Sequence, residues 1–395
     1  SGGQKNHVGS TLTQVDEPDI IQDIKIDRRT LPKGHYKDIG FVTRQVFDID
    51  ISRVVTEYRA QQLKNEQGQC FVAPFPKDIT KAVQYGNQLK AHAVYLSQYQ
   101  LLPYKRIKDY FTELLHIPLS EGPLYNFNCQ AYDQLAEFER IVKQQLIQSS
   151  CAHADETGIN INGKRHWLHS VSNSQWTHFY PHEKRGTEAM NDIDILPRFH
   201  GILCHDHWKP YFRYDFIHAL CNAHHLRELT RAWEQDKQAW AQEMKQLLEA
   251  INRAVNDAGG SLHTEQANIY RQHYKALLKK AEDECPPPKK PPKKQRGRIK
   301  RSKARNLLER LINYEDDVLR FMENPDVPFT NNEAENVIRM TKVHQKISGC
   351  FRSMDGAKIF CRVRGYLSTC RKQNVTASKA MSLIFEGKLP DFARK

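Results

Sequence analysis

The sequence predicts an α/β protein, and three observations along its 395 residues support that class. Between Asp78 and Gln148, apolar residues recur at three- and four-residue spacing, which is the period of amphipathic helices. At Cys151 the period changes to that of β-strands, and from residue 216 to about 284 it is helical again. We therefore expect a core of strands and helices that is preceded and interrupted by helical segments.

The bulk composition is that of a folded protein. The length of 395 residues suits about three domains, the hydrophobic fraction of 39% suffices for real cores, and the aromatic fraction of 10% argues against general disorder. The longest apolar runs, such as residues 93–96, are too short to cross a membrane, and the first residues contain no apolar signal-peptide core. The nine cysteines include no C-x-x-C pair, which favours reduced thiols. These features predict a cytoplasmic protein with no membrane partner.

The net charge of +13 is concentrated in one segment. Residues 286–305 contain ten Lys and Arg and no acidic residue, and without them the basic and acidic residues of the chain nearly balance. We expect a proline-lysine segment of this kind to be extended and exposed, and its charge is typical of contact with a polyanion such as nucleic acid. A solvated linker or a sorting signal is the alternative. In this basic linker, defined as residues 285–305, the predicted DNA contacts are Lys289, Lys290, Lys293, Lys294, Arg296 and Arg298.

The first part of the chain reads as a flexible terminus at 1–19 followed by a small β-rich module at 20–76. Residues 46–51 alternate between apolar and polar, and residues 53–59 are β-branched with polar alternation. Residues 66–69 are typical of a hairpin turn.

Residues 77–150 are predicted to form a helical domain. Residues 106–115 read as a helix, residues 116–119 as a break, and Ser120 as the N-cap of a second short helix through 125–129. This order is typical of a helix-turn-helix DNA-binding domain, although any helical bundle can contain such a break.

The following segment predicts the start of a ribonuclease-H-like fold. Three antiparallel strands, a short helix and a fourth strand beside the first are predicted at 153–162, 166–172, 175–180, 186–191 and 201–205. Asn162-Gly163 and Asn173-Ser174 supply the two turns of the meander.

Three carboxylates stand where this fold could bring them together. Asp155 lies within the first strand, Asp206 follows the fourth strand, and Glu335 lies on a helix that begins after the N-cap cluster 330–332. Converging carboxylates are the hard ligands that hold two divalent cations for phosphoryl transfer on DNA. Taken singly, each could instead be a turn residue or a complement to a helix dipole.

The distance between the second and third carboxylates requires a helical insertion at 216–325. The predicted core therefore consists of residues 151–215 and 326–385. On the helix of Glu335, the cationic residues Arg339, Lys342 and Lys346 share its face, which suits a contact with a phosphate backbone.

Four ordered motifs carry a resemblance to a known family. Residues 153–157, 205–211, 221–227 and 331–336 resemble the catalytic domain of the insertion-sequence 66 family of bacterial transposases, and the likeness extends over roughly 75–390. The resemblance implies a DNA transposase of the DDE type, a polynucleotidyl transferase that cuts and joins DNA at the ends of a mobile element. It implies that Asp155, Asp206 and Glu335 are the catalytic triad and the ligands of two Mg²⁺ or Mn²⁺ ions.

The sequence departs from the family pattern in two places. The usual Glu-Arg pair reads Glu335-Asn336, while Arg339 matches the arginine that comes four residues after the triad glutamate. The choice of Glu335 over Glu333 rests on the Asn-Asn-x-Ala-Glu spacing, so Glu333 remains the alternative third ligand. Family members commonly carry a coiled coil and a cysteine zinc ribbon where this chain has its module at 20–76.

The resemblance also implies partners. These are double-stranded DNA at the element ends and the target, a second copy in a homodimer or higher oligomer, and possible accessory proteins, all at the bacterial nucleoid. We expect His224 and Arg227 to line the active-site mouth. The competing functions are a ribonuclease-H-like nuclease that does not join DNA and a DNA-binding protein that has lost its chemistry. A zinc site is a further alternative, and its candidate ligands are Cys204, His205, His207, Cys221, His224 and His225.

Overall fold

The computed structural model of the chain describes residues 12–288 and 301–394. The chain divides into two compact units, Ser1–Thr56 and Glu57–Lys395. In the described part of the first unit, the regular element is one 3₁₀ turn at Arg28–Thr30, and the Asp27 side chain accepts a hydrogen bond from the Arg29 N–H. The Gln45 side chain also pairs with the backbone of Val15 through two hydrogen bonds of 2.8 and 2.7 Å.

The second unit contains all the strands and α-helices of the described residues. The strands are β1 (Gln62–Lys64), β2 (Cys70–Val72), β3 (Cys151–Ile161), β4 (Lys164–Ser172), β5 (Thr177–His182), β6 (Ile202–His205) and β7 (Ile217–Leu220). The α-helices are α1 (Asn87–Val94), α2 (Tyr104–Glu113), α3 (Glu121–Gln134), α4 (Ala136–Ile147), α5 (Thr187–Ile193), α6 (Asn222–Glu234), α7 (Ala239–Asp257), α8 (Thr264–Glu284), α9 (Lys303–Asn313), α10 (Glu315–Leu319), α11 (Asn332–Ser348), α12 (Met354–Lys372) and α13 (Ala377–Phe385).

The β-rich module predicted at 20–76 contains only one hairpin. Strands β1 and β2 pair antiparallel, and the Gly68 N–H closes the predicted turn on the carbonyl of Asn65. The strands predicted at 46–51 and 53–59 are wrong, because these residues have no regular secondary structure. Val46 and Val54 are 90% and 87% exposed, so the alternating pattern lacks the buried face that stabilises a strand.

The main sheet has five strands in the order β5-β4-β3-β6-β7. Strands β3, β4 and β5 form an antiparallel meander, and β6 pairs parallel with β3, which confirms the predicted fourth strand beside the first. Strand β7 corrects the helical prediction for the residues after 216, because it pairs parallel with β6. Its four residues are too few for a period to distinguish strand from helix.

The helices before the sheet share an apolar core with it. Helices α2 and α3 confirm the two helices predicted around the break at 116–119, and α3 is longer than expected. Side chains from α1 to α4 pack in one cluster with β3, β4, α12 and α13. The rings of Phe138 in α4 and Tyr366 in α12 meet edge-to-face at 4.8 Å. These helices therefore cover one face of the sheet.

A second apolar core lies among the helices that follow the sheet. Buried side chains of α6 to α10 form it, including Trp240 and Met244, and it reaches the sheet through Cys204 and Leu220. A third cluster joins α11 and α12 to β3, β4 and β5. The helices between β7 and α11 thus bring the chain back to the sheet, where α11 packs against β3.

Two further sequence expectations concern membrane spanning and the basic linker. Among the helices of the described residues, none is both long and apolar enough to span a membrane. The predicted DNA contacts of the basic linker lie outside the described residues; they are Lys289, Lys290, Lys293, Lys294, Arg296 and Arg298.

Candidate active site

The carboxyl ends of β3 and β6 bring two of the predicted carboxylates side by side. The parallel register pairs Cys151 with Ile202 and His153 with Cys204. Continued for two residues beyond its last pair, the same register would set Asp155 beside Asp206, which follows the end of β6. Because alternate residues of a strand point to the same face, Asp155 shares the face of β3 that carries Ile159 and Ile161 and packs against α11.

Each aspartate is oriented by a backbone N–H group. Asp155 Oδ1 accepts a hydrogen bond of 2.9 Å from the Glu156 N–H. Asp206 Oδ1 accepts one of 3.0 Å from the Trp208 N–H, in the turn that ends β6. In both residues the hydrogen bond to Oδ1 therefore orients the carboxyl group, independently of what Oδ2 binds.

Asn331, the N-cap residue of α11, attaches the start of that helix to the sheet. Its side-chain Nδ2 donates to the Ala154 carbonyl at 3.0 Å, and its Oδ1 lies 2.7 Å from His153 Nδ1. Its backbone N–H donates to the sulfur of Cys221, just after β7, at 3.1 Å. These contacts place Glu335, in the first turn of α11, at the sheet edge that carries Asp155.

The negative charges at this edge act on one another. The pKa of Asp155 is raised to about 7. Burial is the largest cause, and repulsion by the carboxylates of Glu156, Asp206 and Glu335 adds to it, while the backbone hydrogen bond from Glu156 offsets only part of the shift. The charges of the three predicted carboxylates are therefore close enough for Asp206 and Glu335 to affect the pKa of Asp155. They are not in tight contact, however, because neither Asp155 nor Asp206 belongs to a described group of three potential ligand atoms within 4.8 Å of one another.

The two glutamates of α11 have different surroundings. Glu333 accepts a hydrogen bond of 2.7 Å from the Lys372 ammonium, which is itself largely buried. Glu335 has only looser contacts, at 3.5 Å from Arg227 Nη2 and 3.8 Å from His224 Nδ1. Thus Lys372 neutralises Glu333, whereas Glu335 stands among the other carboxylates with weaker compensation.

His224 and Arg227, which were predicted at the active-site mouth, both lie on α6 beside Glu335. Their side chains are 38% and 63% exposed. The cationic residues Arg339, Lys342 and Lys346 are exposed along α11, as their spacing predicts. Lys342 Nζ also donates to the Gly158 carbonyl of β3 at 2.9 Å. Whether these side chains contact DNA stays a prediction.

The opposite face of β3 carries a group that sequence reasoning missed. Glu156 is buried and accepts hydrogen bonds from the Tyr211 hydroxyl at 2.6 Å and from Arg185 Nε at 2.8 Å. The Arg185 guanidinium stacks on Trp208 at 4.2 Å and on Trp167 at 4.8 Å. The sequence contained a signal for this group, because Trp208 and Tyr211 belong to the motif at residues 205–211.

The six residues considered for a zinc site do not form one group. His205 points to the other face of β6, where its Nε2 lies 3.0 Å from His218 Nδ1. His225 Nδ1 lies 3.0 Å from the side-chain oxygen of Asn222. Within residues 12–288 and 301–394, the compact groups of potential ligands are Cys151, His153 and Cys204 in one place and Cys221, His224 and Glu335 in another.

The fold and the site are those of an α/β protein with an acidic site at the carboxyl ends of neighbouring parallel strands. The sequence profile described as "Transposase IS66 family" matches residues 82–359, which is more than half of the chain. The chain belongs to this family of transposases.

A shorter likeness connects the chain with a curated protein. It is 38% identical over 66 residues to a protein of Sinorhizobium fredii (strain NBRC 101917 / NGR234) described as "Uncharacterized protein y4jO". The match covers 17% of this chain and 21% of that protein. Because so little of the relative is covered, it contributes nothing about the activity of the whole protein.

Proposed function

We propose that the chain is a DDE-type DNA transposase that cuts DNA at the ends of a mobile element and joins those ends to target DNA. Membership of a transposase family supports the activity. The observation that carries the mechanism is the gathering of Asp155, Asp206 and Glu335, where burial, repulsion by Glu156 and repulsion by the other two carboxylates raise the pKa of Asp155 to about 7.

The proposed architecture is a ribonuclease-H-like core with an insertion. The strand order supports this architecture. Three strands form an antiparallel meander, β6 lies parallel beside the first of them, and β7 lies parallel beside β6. We propose residues 151–220 and 326–385 as this core, with the boundary moved from 215 because β7 belongs to the sheet, and residues 221–325 as the helical insertion. The apolar core among α6 to α10, which meets the sheet at Cys204 and Leu220, supports the insertion.

The three carboxylates fit a pair of hard divalent cations, Mg²⁺ or Mn²⁺. They offer oxygen ligands from three elements, and their repulsion is the kind that bound cations relieve. When bound, two such ions would supply the positive charge that phosphoryl transfer requires at the attacking and leaving oxygens. Glu335 is the proposed third ligand rather than Glu333, because the carboxylate of Glu335 acts on Asp155, whereas that of Glu333 is paired with Lys372.

The side chains around the carboxylates have separate proposed roles. Arg227 is more than half exposed and only loosely bound to Glu335, so its guanidinium is free to bind a DNA phosphate beside the cut. His224 lies on the same side of Glu335 and would hold that carboxylate in place. Arg185, held between two indole rings, would keep Trp208 and the adjoining Asp206 turn in position.

Double-stranded DNA is the proposed partner along two surfaces of the described residues and along the basic linker, residues 285–305. The first is the exposed stripe of Arg339, Lys342 and Lys346 on α11. The second is the helix-turn-helix-like pair of α2 and α3, in which α2 presents exposed Lys105, Arg106 and Lys108. Two ends require two active sites, so we propose a homodimer or a larger oligomer, with accessory proteins as further candidate partners.

The test uses DNA that carries the ends of the mobile element encoding the chain. In Mg²⁺ or Mn²⁺, the chain should nick these ends, and Asp155→Asn, Asp206→Asn and Glu335→Gln should each reduce nicking to below about a thousandth. Glu333→Gln is the comparison on the same helix and should retain more nicking than Glu335→Gln. Loss with Glu333→Gln and retention with Glu335→Gln would reverse the assignment of the third ligand.

Joining is tested separately from cutting. Pre-cut ends supplied together with target DNA should give joined products in the same metal-dependent manner. Cutting without joining would make the chain a ribonuclease-H-like nuclease. Binding without cutting under any divalent metal would make it a DNA-binding protein that has lost its chemistry.

A further inference from the structure

A second group of metal-binding side chains lies on the same two strands, one pleat before the carboxylates. Cys151 and His153 are on β3 and Cys204 is on β6. One ligand atom from each lies within 4.8 Å of the other two. Cys204 and His153 are only 3% and 6% exposed, and the function proposed above uses none of the three.

The separation of the two sulfurs suits a shared metal ion. Cys151 Sγ and Cys204 Sγ are 3.8 Å apart. Zinc binds thiolate at about 2.3 Å in tetrahedral geometry, which separates two sulfur ligands by about 3.8 Å. A disulfide would require the sulfurs to approach to about 2.0 Å. The pair is therefore already spaced as two ligands of one zinc ion.

The imidazole of His153 is oriented in the manner of a metal-bound histidine. Asn331 Nδ2 donates to the Ala154 carbonyl, so the oxygen of the same amide faces His153 Nδ1 at 2.7 Å. In the neutral ring, this contact places the proton on Nδ1 and the lone pair on Nε2. Metal-ligating histidines are generally held in this way, by a hydrogen bond from the nitrogen that does not bind the metal.

A carboxylate stands on the open side of that ring. Glu333 Oε2 lies 3.9 Å from His153 Nε2, and Lys372 fixes the other oxygen of Glu333 at 2.7 Å. A carboxylate oxygen facing a nitrogen lone pair is repulsive unless a positive charge lies between them. Glu333 lies outside the group of three ligand atoms within 4.8 Å of one another, so it would have to move closer to become the fourth ligand that a closed zinc site requires.

We propose that Cys151, His153 and Cys204 bind one structural zinc ion, with Glu333 as the fourth ligand. Thiolate and imidazole select a borderline-soft cation, so this site differs in chemistry from a carboxylate site for Mg²⁺. Each thiol loses a proton to solvent when the ion binds. Because His153 and Cys204 precede the aligned Asp155 and Asp206 by two residues, the ion joins the strands that carry them.

The test is metal analysis of the full-length chain, purified without chelators. It should contain about one zinc ion per chain. After zinc removal, titration with Co²⁺ alone should produce the thiolate-to-cobalt charge-transfer absorption of a two-cysteine site, and adding zinc should abolish it. This measurement uses the unaltered chain, so it does not depend on whether a variant folds. No zinc and no such absorption would overturn the proposal.

Variants locate the ion. Cys151→Ser combined with Cys204→Ser should lose the zinc and the cobalt absorption, whereas Cys129→Ser, a partly buried control in α3, should keep both. Cys221→Ser separates this site from the neighbouring group of Cys221, His224 and Glu335. Zinc retained by the double variant but lost with Cys221→Ser would overturn the assignment. Activity is not the readout, so failure here leaves the proposed DNA chemistry untouched.

Discussion

Asp155 lies within β3 beside three other carboxylates, which is costly for a charged group without a bound cation. Its pKa rises from an ordinary 3.8 to about 7, first through burial and then through repulsion by Glu156, Asp206 and Glu335. Between these two pKa values the folded chain holds a proton that the unfolded chain has released. The stability of the metal-free chain therefore falls as the pH rises from about 4 to about 7.

Asp155→Asn should relieve this cost while removing a metal ligand. Without divalent metal, the variant should be more stable than the unaltered chain by on the order of 2 kcal/mol at about pH 8, and by less at about pH 5. Denaturant unfolding in the presence of a chelator measures both differences. Mg²⁺ should stabilise the unaltered chain at the higher pH and leave the variant unchanged. A stability difference independent of pH would contradict the assigned cause.

Asn331 is a positioning residue, since it joins α11 to β3 and to Cys221 and thereby places Glu335. Asn331→Ala should cost about 1–3 kcal/mol of stability, because it leaves the Ala154 carbonyl without its donor. It should also raise the Mg²⁺ concentration required for nicking by about 10- to 100-fold.

Asn332→Ala is the matched control for Asn331→Ala. Asn332 is the exposed first residue of α11, and its replacement should change neither stability nor metal dependence appreciably. Equal Mg²⁺ requirements for Asn331→Ala and the unaltered chain would reduce the role of Asn331 to stability alone.

At the scale of elements, β6 depends on a close backbone approach at Gly201. A Cβ atom there would lie 2.6 Å from the carbonyl oxygens of both Ser149 and Ser150, where backbone cannot easily yield. Gly201 therefore permits β6 to enter the sheet beside the start of β3. The alignment of Asp155 with Asp206 depends on that pairing.

Gly201→Ala should destabilise the chain by about 2–4 kcal/mol and reduce nicking, because β6 and the following Asp206 must shift. The control is Gly122→Ala in α3, where a Cβ would meet nothing within 4 Å. That change should stabilise the chain by up to about 1 kcal/mol. Thermal or denaturant unfolding of both variants is the measurement, and similar effects would argue against the close approach.

At the scale of the whole molecule, the excess positive charge lies mainly in the basic linker. Arg301 and Arg305 at its end belong to the fold, because both form ion pairs with Glu309. They should be left unchanged when the contribution of the linker to DNA binding is measured. The residues to be tested are the six predicted DNA contacts, Lys289, Lys290, Lys293, Lys294, Arg296 and Arg298.

Replacing these six residues by glutamine should weaken DNA binding at low salt. The slope of log affinity against log salt should fall by up to about five, since each phosphate contact contributes about 0.9. The control interchanges Lys and Arg at the same six positions, which keeps the charge and should keep the slope. An unchanged slope in the glutamine variant would show that the linker is a solvated connection.

Much of the sheet could be predicted from local patterns. The meander β3 to β5 follows from alternation and from the turn at Asn162-Gly163, where both residues adopt the positive φ values, 48° and 79°, that this dipeptide favours. Asp155 and Asp206 were placed at one edge because parallel strands bring their carboxyl ends together. The strands predicted at 46–51 and 53–59 are wrong because apolar-polar alternation is only a local pattern, and no buried face accompanies it there.

The sequence by itself thus determined strands β3 to β6, most of the helices, and the places of Asp155 in β3 and Asp206 after β6, because these depend on neighbours a few residues apart. Tertiary structure decided that β7 extends the sheet, that Lys372 pairs with Glu333, and that Arg227 reaches Glu335. It also brought Cys151 to Cys204 and Asn331 to His153. Each of these contacts joins segments far apart in the chain, and packing of the complete core, which no local period encodes, selects which segments meet.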